Sequence, residues 1–355
     1  MQELLRLLSV YDYLDDSGKR HRQQVSTQER PLVVLTERMW PAMNQILALF
    51  SGSDELVERV CRCYKRMLRA CGAAFQPFLP SMAEHLVAFF RATPKSSYLY
   101  AASMALKQFQ HDTNNADVLA LLGRMLHDLA DATLPLFETP DTMAAHPDIV
   151  EEFFYLMERA VRNVPALLLA PLASSASASS TSSTSSDGSD VLLAKLLYCA
   201  VSALGLCHND ANKATLCFLE QTIQRSLSPA TPDIAGQRLA LLAQQSFTHR
   251  GGDLVDRLLR GVVLGALPRS RVDEDLGSIA GLTVLLAKLN GALLQQRVGE
   301  WFAAAQASHL VAFLTAGEVD GFQQDLFSTT GEREFRRVLR HFARACAART
   351  DADAR

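Results

Sequence analysis

Apolar residues recur at three- and four-residue spacing through almost the whole chain, and no stretch alternates apolar and polar as a half-buried strand must. A chain with that single period can bury its apolar faces only helix against helix. Composition agrees: 48% of the residues are hydrophobic but only 7% aromatic, and the apolar side chains are mostly Leu, Ala and Val, a mix that favours helices over strands. The pattern predicts helices over 2–14, 31–50, 53–71, 77–92, 96–110, 115–136, 147–163, 190–206, 209–227, 233–247, 252–266, 272–289, 291–305, 307–316, 318–327 and 331–347. With 355 residues, these are more helices than one bundle core accommodates. Sequential neighbours suffice to bury each one, in pairs of roughly 40 residues. The expected fold is all-α, an α-solenoid (superhelix) of HEAT-type antiparallel helix pairs.

Helix punctuation fits this reading. Ser51 and Asp54 have capping-box spacing ahead of Leu56, Pro147 stands at a first-turn position, and Asn209 with Asp210 opens the helix of Leu216, Phe218 and Leu219. Pro41 falls inside a helix, where it kinks or ends the first part. One segment departs from the pattern. ASSASASSTSSTSSDGSD, 173–190, holds no apolar residue larger than alanine, so it cannot offset its ordering entropy and is expected to be a disordered loop. The predicted organisation is helical repeats over 1–172, the Ser-rich loop over 173–190, further repeats and a capping helix over 191–347, and a disordered tail over 348–355.

Charge and cysteine usage narrow the function classes. The net charge is −3, from 35 basic and 38 acidic side chains, which argues against bulk nucleic-acid binding and confines any charged surface to a local patch. Seven cysteines, an odd number with no CxxC, suit buried thiols in a reducing compartment. MQELLRLLSVYDYLDD carries charges too early for a signal-peptide core, and no uninterrupted apolar run reaches the roughly 18 residues of a membrane span. The reading is a soluble intracellular protein that neither inserts into membranes nor binds nucleic acid directly.

The densest local feature is ERVCRCYKRMLRAC, 58–71. On a helical wheel Leu56, Val60, Tyr64, Met67 and Cys71 share one face, flanked by Cys63 and Leu68. Arg59, Arg62, Arg66 and Arg69 cover an arc of roughly 80° on the opposite side. Cys61 and Cys63 point to different sides and lack the convergent ligands a zinc site needs. The arginine stripe has two readings. It is a solvated face with Glu55–Arg59 and Glu58–Arg62 pairs, or a groove for an acidic or phosphorylated peptide, since Arg66 and Arg69 have no acid three or four positions before them. The last helix has a similar basic face (Arg333, Arg336, Arg337, Arg340, Arg344) opposite Phe335, Val338, Leu339 and Phe342, so a stripe alone assigns no function.

No catalytic constellation is present in the sequence: there is no HExxH, P-loop, dinucleotide fingerprint or GxSxG. The expectation is no catalytic residue, no cofactor and no metal. His85, His127 and His341 are read as satisfied or exposed side chains, and Tyr98 and Tyr100 as packing residues at a helix start.

Three segments carry a family resemblance: ERVCRCYKRMLRACG, HPDIVEEFFYLMERAVRNVPALLL and HNDANKATLCFLEQTI, with FLTAGEVDGFQQDLFSTTGEREFRRVLRHFAR matching more loosely. In order and spacing they resemble the C-terminal portion of the transportin-3/importin-13 branch of the importin-β (karyopherin) nuclear transport receptors, and HNDAN favours the transportin-3 side. The resemblance implies a HEAT-repeat superhelix that shuttles between nucleus and cytoplasm through the nuclear pore. It implies contact with Phe-Gly nucleoporins and release of cargo on binding the Ran GTPase, mainly through N-terminal repeats that precede this chain's first helix in the family. The implied cargo is an Arg-Ser-rich, often phosphorylated, splicing factor. Arg59, Arg62 and Arg66 match the family's arginine-rich cargo helix by position, and Arg69 extends the stripe. The chain reads as a C-terminal piece of such a receptor. The alternatives are a helical-repeat scaffold that binds a partner helix, and an importin-13-like receptor for globular cargo.

Overall fold

The computed structural model of the chain describes residues 31–110, 115–169, 188–227, 234–264, 272–329 and 331–353. The helix expected at 2–14 and nearly all of the Ser-rich segment lie outside the described residues. Among those described there are helices and no strand. In order they are α1 (Pro31–Phe50), α2 (Asp54–Cys71), a 3-10 turn (Gly72–Phe78), α3 (Leu79–Ala92), α4 (Ser96–Phe109), α5 (Ala116–Thr133), α6 (Pro140–Ala145), α7 (Pro147–Asn163), α8 (Ala166–Leu169), α9 (Gly188–Ala203), α10 (Asn209–Leu227), α11 (Ile234–Leu264), α12 (Val272–Ala307), α13 (Ala316–Ser328) and α14 (Glu332–Asp353). The fold is the all-α, solenoid-type array that the periodicity predicts.

The chain divides into two compact units, Met1–Leu136 with Tyr155–Ser175, and Phe137–Phe154 with Ala176–Arg355. In the first unit α1, α3 and α5 pack as one layer and α2 with α4 as the other, with contacts between successive helices joining the layers. An aromatic cluster ties α1 to α2 and to the 3-10 turn. Trp40 lies 5.2 Å from Tyr64, 5.7 Å from Phe75 and 5.3 Å from Phe78, centroid to centroid. Trp40 Nε1 donates to Ser81 Oγ, and the Tyr64 hydroxyl to Asn44 Oδ1, so both polar tips are satisfied. Helix α1 is continuous through Pro41.

In the second unit α9 packs on α10 and α11, α10 and α11 on α12, and α14 on α11, α12 and α13. Several boundaries differ from the sequence reading, each for a local reason. The helices expected at 233–247 and 252–266 are, among the described residues, one helix, Ile234–Leu264. Gly251 does not break it, because Gly251 is buried where a Cβ would meet the Phe247 ring at 2.8 Å. The break at Asn290 holds: its backbone leaves the helical region and its Oδ1 accepts from Leu293 N at 3.1 Å, capping the second half of α12. The helix expected at 307–316 is instead a turn. His309, at φ 58°, takes the left-handed position of a Schellman motif, with Leu310 N bonded to Ala305 O and His309 N to Gln306 O. A glycine usually marks that position, which is why the stop is hard to read from the letters. The cap of α2 is Ser53, which accepts from Leu56 N, and not Ser51.

Gly277–Ala307, within α12, is long enough to cross a membrane and contains an 18-residue stretch with a mean hydropathy of 1.5. Its apolar residues serve the contacts of α12 with α10, α11 and α14.

The disordered tail expected at 348–355 is replaced, as far as Asp353, by a continuation of α14. Ala347 and Ala348 favour the helix, and Arg349 is anchored. Its guanidinium binds both oxygens of Glu318 and the Phe313 carbonyl, while Glu318 closes a capping box with Thr315. These bonds, the one from Arg349 first, lower the Glu318 carboxyl to about 2. A carboxyl depressed in the folded state stabilises the fold above its unfolded value, roughly 4.3. That contribution is lost as the pH falls from there toward 2. Glu318→Gln should therefore flatten the loss of thermal midpoint between pH 5 and pH 2, measured by circular dichroism, lowering the midpoint at pH 5 while leaving it at pH 2 nearly that of the parent.

Candidate functional site

Helix α2 is built to hold one face rigid and present the other. Val57, Val60, Cys61, Cys63, Tyr64, Met67, Leu68 and Cys71 are buried, an arc of about 160°. That is wider than the stripe read from the sequence, because α2 is covered by α1 on one side and by α4 on another. Leu56 is the exception and remains half-exposed. The N-terminal cap at Ser53 and the left-handed Gly72, whose N–H bonds Leu68 O, fix both ends. Lys95 reaches back from the start of α4 to Asp54 and the Gly52 carbonyl.

The remaining arc carries the four arginines. Arg59 and Arg66 are half-exposed, and Arg62 and Arg69 exposed. The two ion pairs read from spacing both form: Arg59 binds Glu55 and Arg62 binds Glu58, each at 2.5 Å. Such pairs on an open helix contribute only tenths of a kcal/mol and exchange easily. The structure thus brings together all four candidate residues on one solvent-facing arc, with Glu55 and Glu58 interleaved among them.

The cysteines of this helix face inward. Burial pushes the Cys63 thiol up to about 11 and the Cys61 thiol and Tyr64 hydroxyl further still. Nucleophilic or metal-binding chemistry needs the thiolate, so these groups are packing elements. Among the described residues no group of His, Cys, Asp and Glu is placed to hold a metal. His127 is buried with Nε2 at 3.0 Å from the Leu167 carbonyl, His85 is half-buried beside Ser81, and His341 is exposed.

Two neighbours of the stripe were not legible in the sequence. Lys65, at the edge of the arc, donates to the Tyr100 hydroxyl on α4 at 2.5 Å and lies 5.2 Å from that ring's centroid. Tyr98 is a buried packing residue as expected, but Tyr100 is half-exposed and polar in role. One turn further along α4, Arg159 of α7 donates to the buried Ser103 Oγ, and Arg162 pairs with the buried Glu158. Burial raises the Glu158 carboxyl, against the pull of Arg162 and Arg159. The hint in the letters was the four-residue spacing of Glu158 and Arg162.

The comparisons bear on this same region. Residues 30–137 match the family model described as the Transportin-3/Importin-13 fourth TPR domain. Importin-13 of Gallus gallus is 22% identical over 171 residues and that of Homo sapiens 24% over 171, in each case 48% of this chain and 17% of the relative. Transportin MOS14 of Arabidopsis thaliana is 23% identical over 227 residues, 64% of this chain and 21% of the relative. The structure titled "Importin13 cytosolic state" superposes with a TM-score of 0.71 at 16% identity, over 97% of this chain and 35% of that one. The likeness shows the helical fold of the matched third of that structure. The chain spans about a fifth of the length of the curated relatives it matches. The arginine arc of α2 lies inside the matched fourth TPR domain.

Thiol labelling checks the inward orientation. With the folded chain at pH 8, iodoacetamide should modify the exposed Cys207 first and the half-exposed Cys217 more slowly, leaving Cys61, Cys63, Cys71, Cys199 and Cys346 unmodified until denaturant is added, as mapped by mass spectrometry. Rapid labelling of Cys61 or Cys63 would contradict the described packing of α2.

Proposed function

We propose that this chain is a cargo-binding segment of a karyopherin-type nuclear import receptor, that it acts without catalysis, and that it holds Arg-Ser-rich, phosphorylated splicing-factor segments on Arg59, Arg62, Arg66 and Arg69. The observation that carries the reading is the arc itself: four guanidinium groups on one open face of a helix whose opposite face is locked in the core. Arginine suits this task because its planar fork binds phosphate oxygens in pairs. A phosphoserine carries close to two negative charges at pH 7 and can displace Glu55 and Glu58 from Arg59 and Arg62. The match of residues 30–137 to the Transportin-3/Importin-13 fourth TPR domain supports the transport reading. The intact receptor would shuttle between nucleus and cytoplasm, with Ran binding assigned mainly to N-terminal repeats.

For Phe-Gly nucleoporins the supporting feature is an apolar cavity of about 270 Å³ in the second unit, lined by Leu197, Tyr198, Ile223, Phe247 and Leu254 among others. The same cavity favours a second reading, a scaffold that docks the apolar side of a partner helix. Salt separates the two, because phosphate capture by arginine weakens with ionic strength and apolar docking does not.

The test is fluorescence anisotropy with an Arg-Ser repeat peptide, phosphorylated and unphosphorylated, at 50 and 300 mM salt. Phosphate-dependent, salt-sensitive binding is expected. Arg66→Ala should cost about 1–3 kcal/mol, roughly a factor of 5 to 150. Unchanged affinity on combined replacement of Arg59, Arg62 and Arg66 by alanine would remove the site. In the opposite direction, Glu58→Gln should tighten binding about twofold to fivefold by releasing Arg62.

A further inference from the structure

We propose that the anion-binding face does not end on α2 but crosses α4 to Arg159 on α7, so that it selects a peptide with two phosphates about six residues apart. This rests on the reading of α2 as a phosphopeptide site and adds its length and far end. The three helix segments belong to one compact unit. Helix α4 is joined to α2 by the Lys65–Tyr100 hydrogen bond and to α7 by the Arg159–Ser103 hydrogen bond. Tyr100 and Ser103 are one turn apart, so the two links meet on the same stretch of α4.

The electrostatics of this face are uneven in a useful way. Lys65 widens the arginine arc by about 40° toward α4. Helix α4, SSYLYAASMALKQF, contains no acidic residue; its less buried positions are Ser96, Ser97, Tyr100, Met104, Gln108 and the exposed Lys107. On α7 Arg159, half-exposed, and Arg162, exposed, both lie near one buried carboxylate, Glu158. A basic strip, a neutral hydroxyl-bearing strip and a second basic strip follow in order. Neighbouring helix axes lie 8–10 Å apart, so the two basic strips are separated by about 20 Å. An extended peptide advances about 3.3 Å per residue, which gives about six residues between phosphates. A peptide fits better than RNA: two carboxylates interrupt the first strip, and Tyr100 is the sole aromatic ring on this part of α4 that is not buried.

The experiment compares Arg-Ser repeat peptides with one phosphoserine, and with two at separations of two, six and ten residues, by calorimetry on the full chain. The separation of six should bind about tenfold tighter than the separation of two. Arg159→Gln should erase that preference while leaving the singly phosphorylated peptide unaffected. The spacing preference is read in the unaltered chain, so it stands even if Arg159→Gln fails to fold; Lys107→Ala, at an exposed position, gives a second, smaller loss confined to the long-spaced peptide. Affinity independent of spacing would overturn the extension. If Arg62→Ala with Arg66→Ala still abolished binding in that case, the α2 site would stand and only its extension would fall. If phosphate made no difference, both would fall. Equal competition by a single-stranded RNA oligonucleotide would also overturn the proposal, since the face would then recognise phosphate chains in general.

Discussion

Helix α2 is pressed from two directions, and much of the first unit follows from that. Trp40 and Asn44 of α1 hold Tyr64, while α4 covers a second part of the helix surface. With about 160° of its circumference in the core, the helix cannot rotate without exposing Val60, Met67 or Cys71. Its basic residues are thereby fixed as a group on the side that remains. The four arginines owe their common orientation to apolar packing on the far side of the helix, and not to any interaction among themselves.

That division of labour explains why charges of one sign are tolerated so close together. Mutual repulsion among exposed guanidinium groups is screened by water and offset by Glu55 and Glu58, whose ion pairs are cheap to break. The buried pairing on α7 is of another kind. Glu158 is held in the core against the cost of desolvation, and Arg162 and Arg159 must remain near it. Helix α2 thus carries ion pairs between exposed or half-exposed groups, and α7 one whose carboxylate is buried.

Much of this was legible in the letters. The three-to-four residue period identifies the helices because it reports which side of a segment leaves water, and the boundaries of α1, α2 and α7 follow from it almost residue for residue. It failed where a boundary depends on one contact. Gly251 passes unnoticed through α11 because Phe247 lies over it, and His309 stops α12 by a left-handed turn more often made by glycine. A capping box of Thr315 and Glu318 sets the start of α13 two residues before the one expected from the apolar pattern.

The sequence by itself determined the all-α class, the amphipathic character of α2, the arc of Arg59, Arg62, Arg66 and Arg69, and the two ion pairs on that helix. All of these are set by neighbours within one or two turns, where 3.6 residues per turn converts spacing directly into geometry. Only the tertiary structure decided that α4 carries Tyr100 toward Lys65 and Ser103 toward Arg159, and that Glu158 is buried between helices. Those contacts join residues 35 and 56 positions apart. No local period encodes such separations; they arise when apolar faces choose their partners and bring the polar edges along.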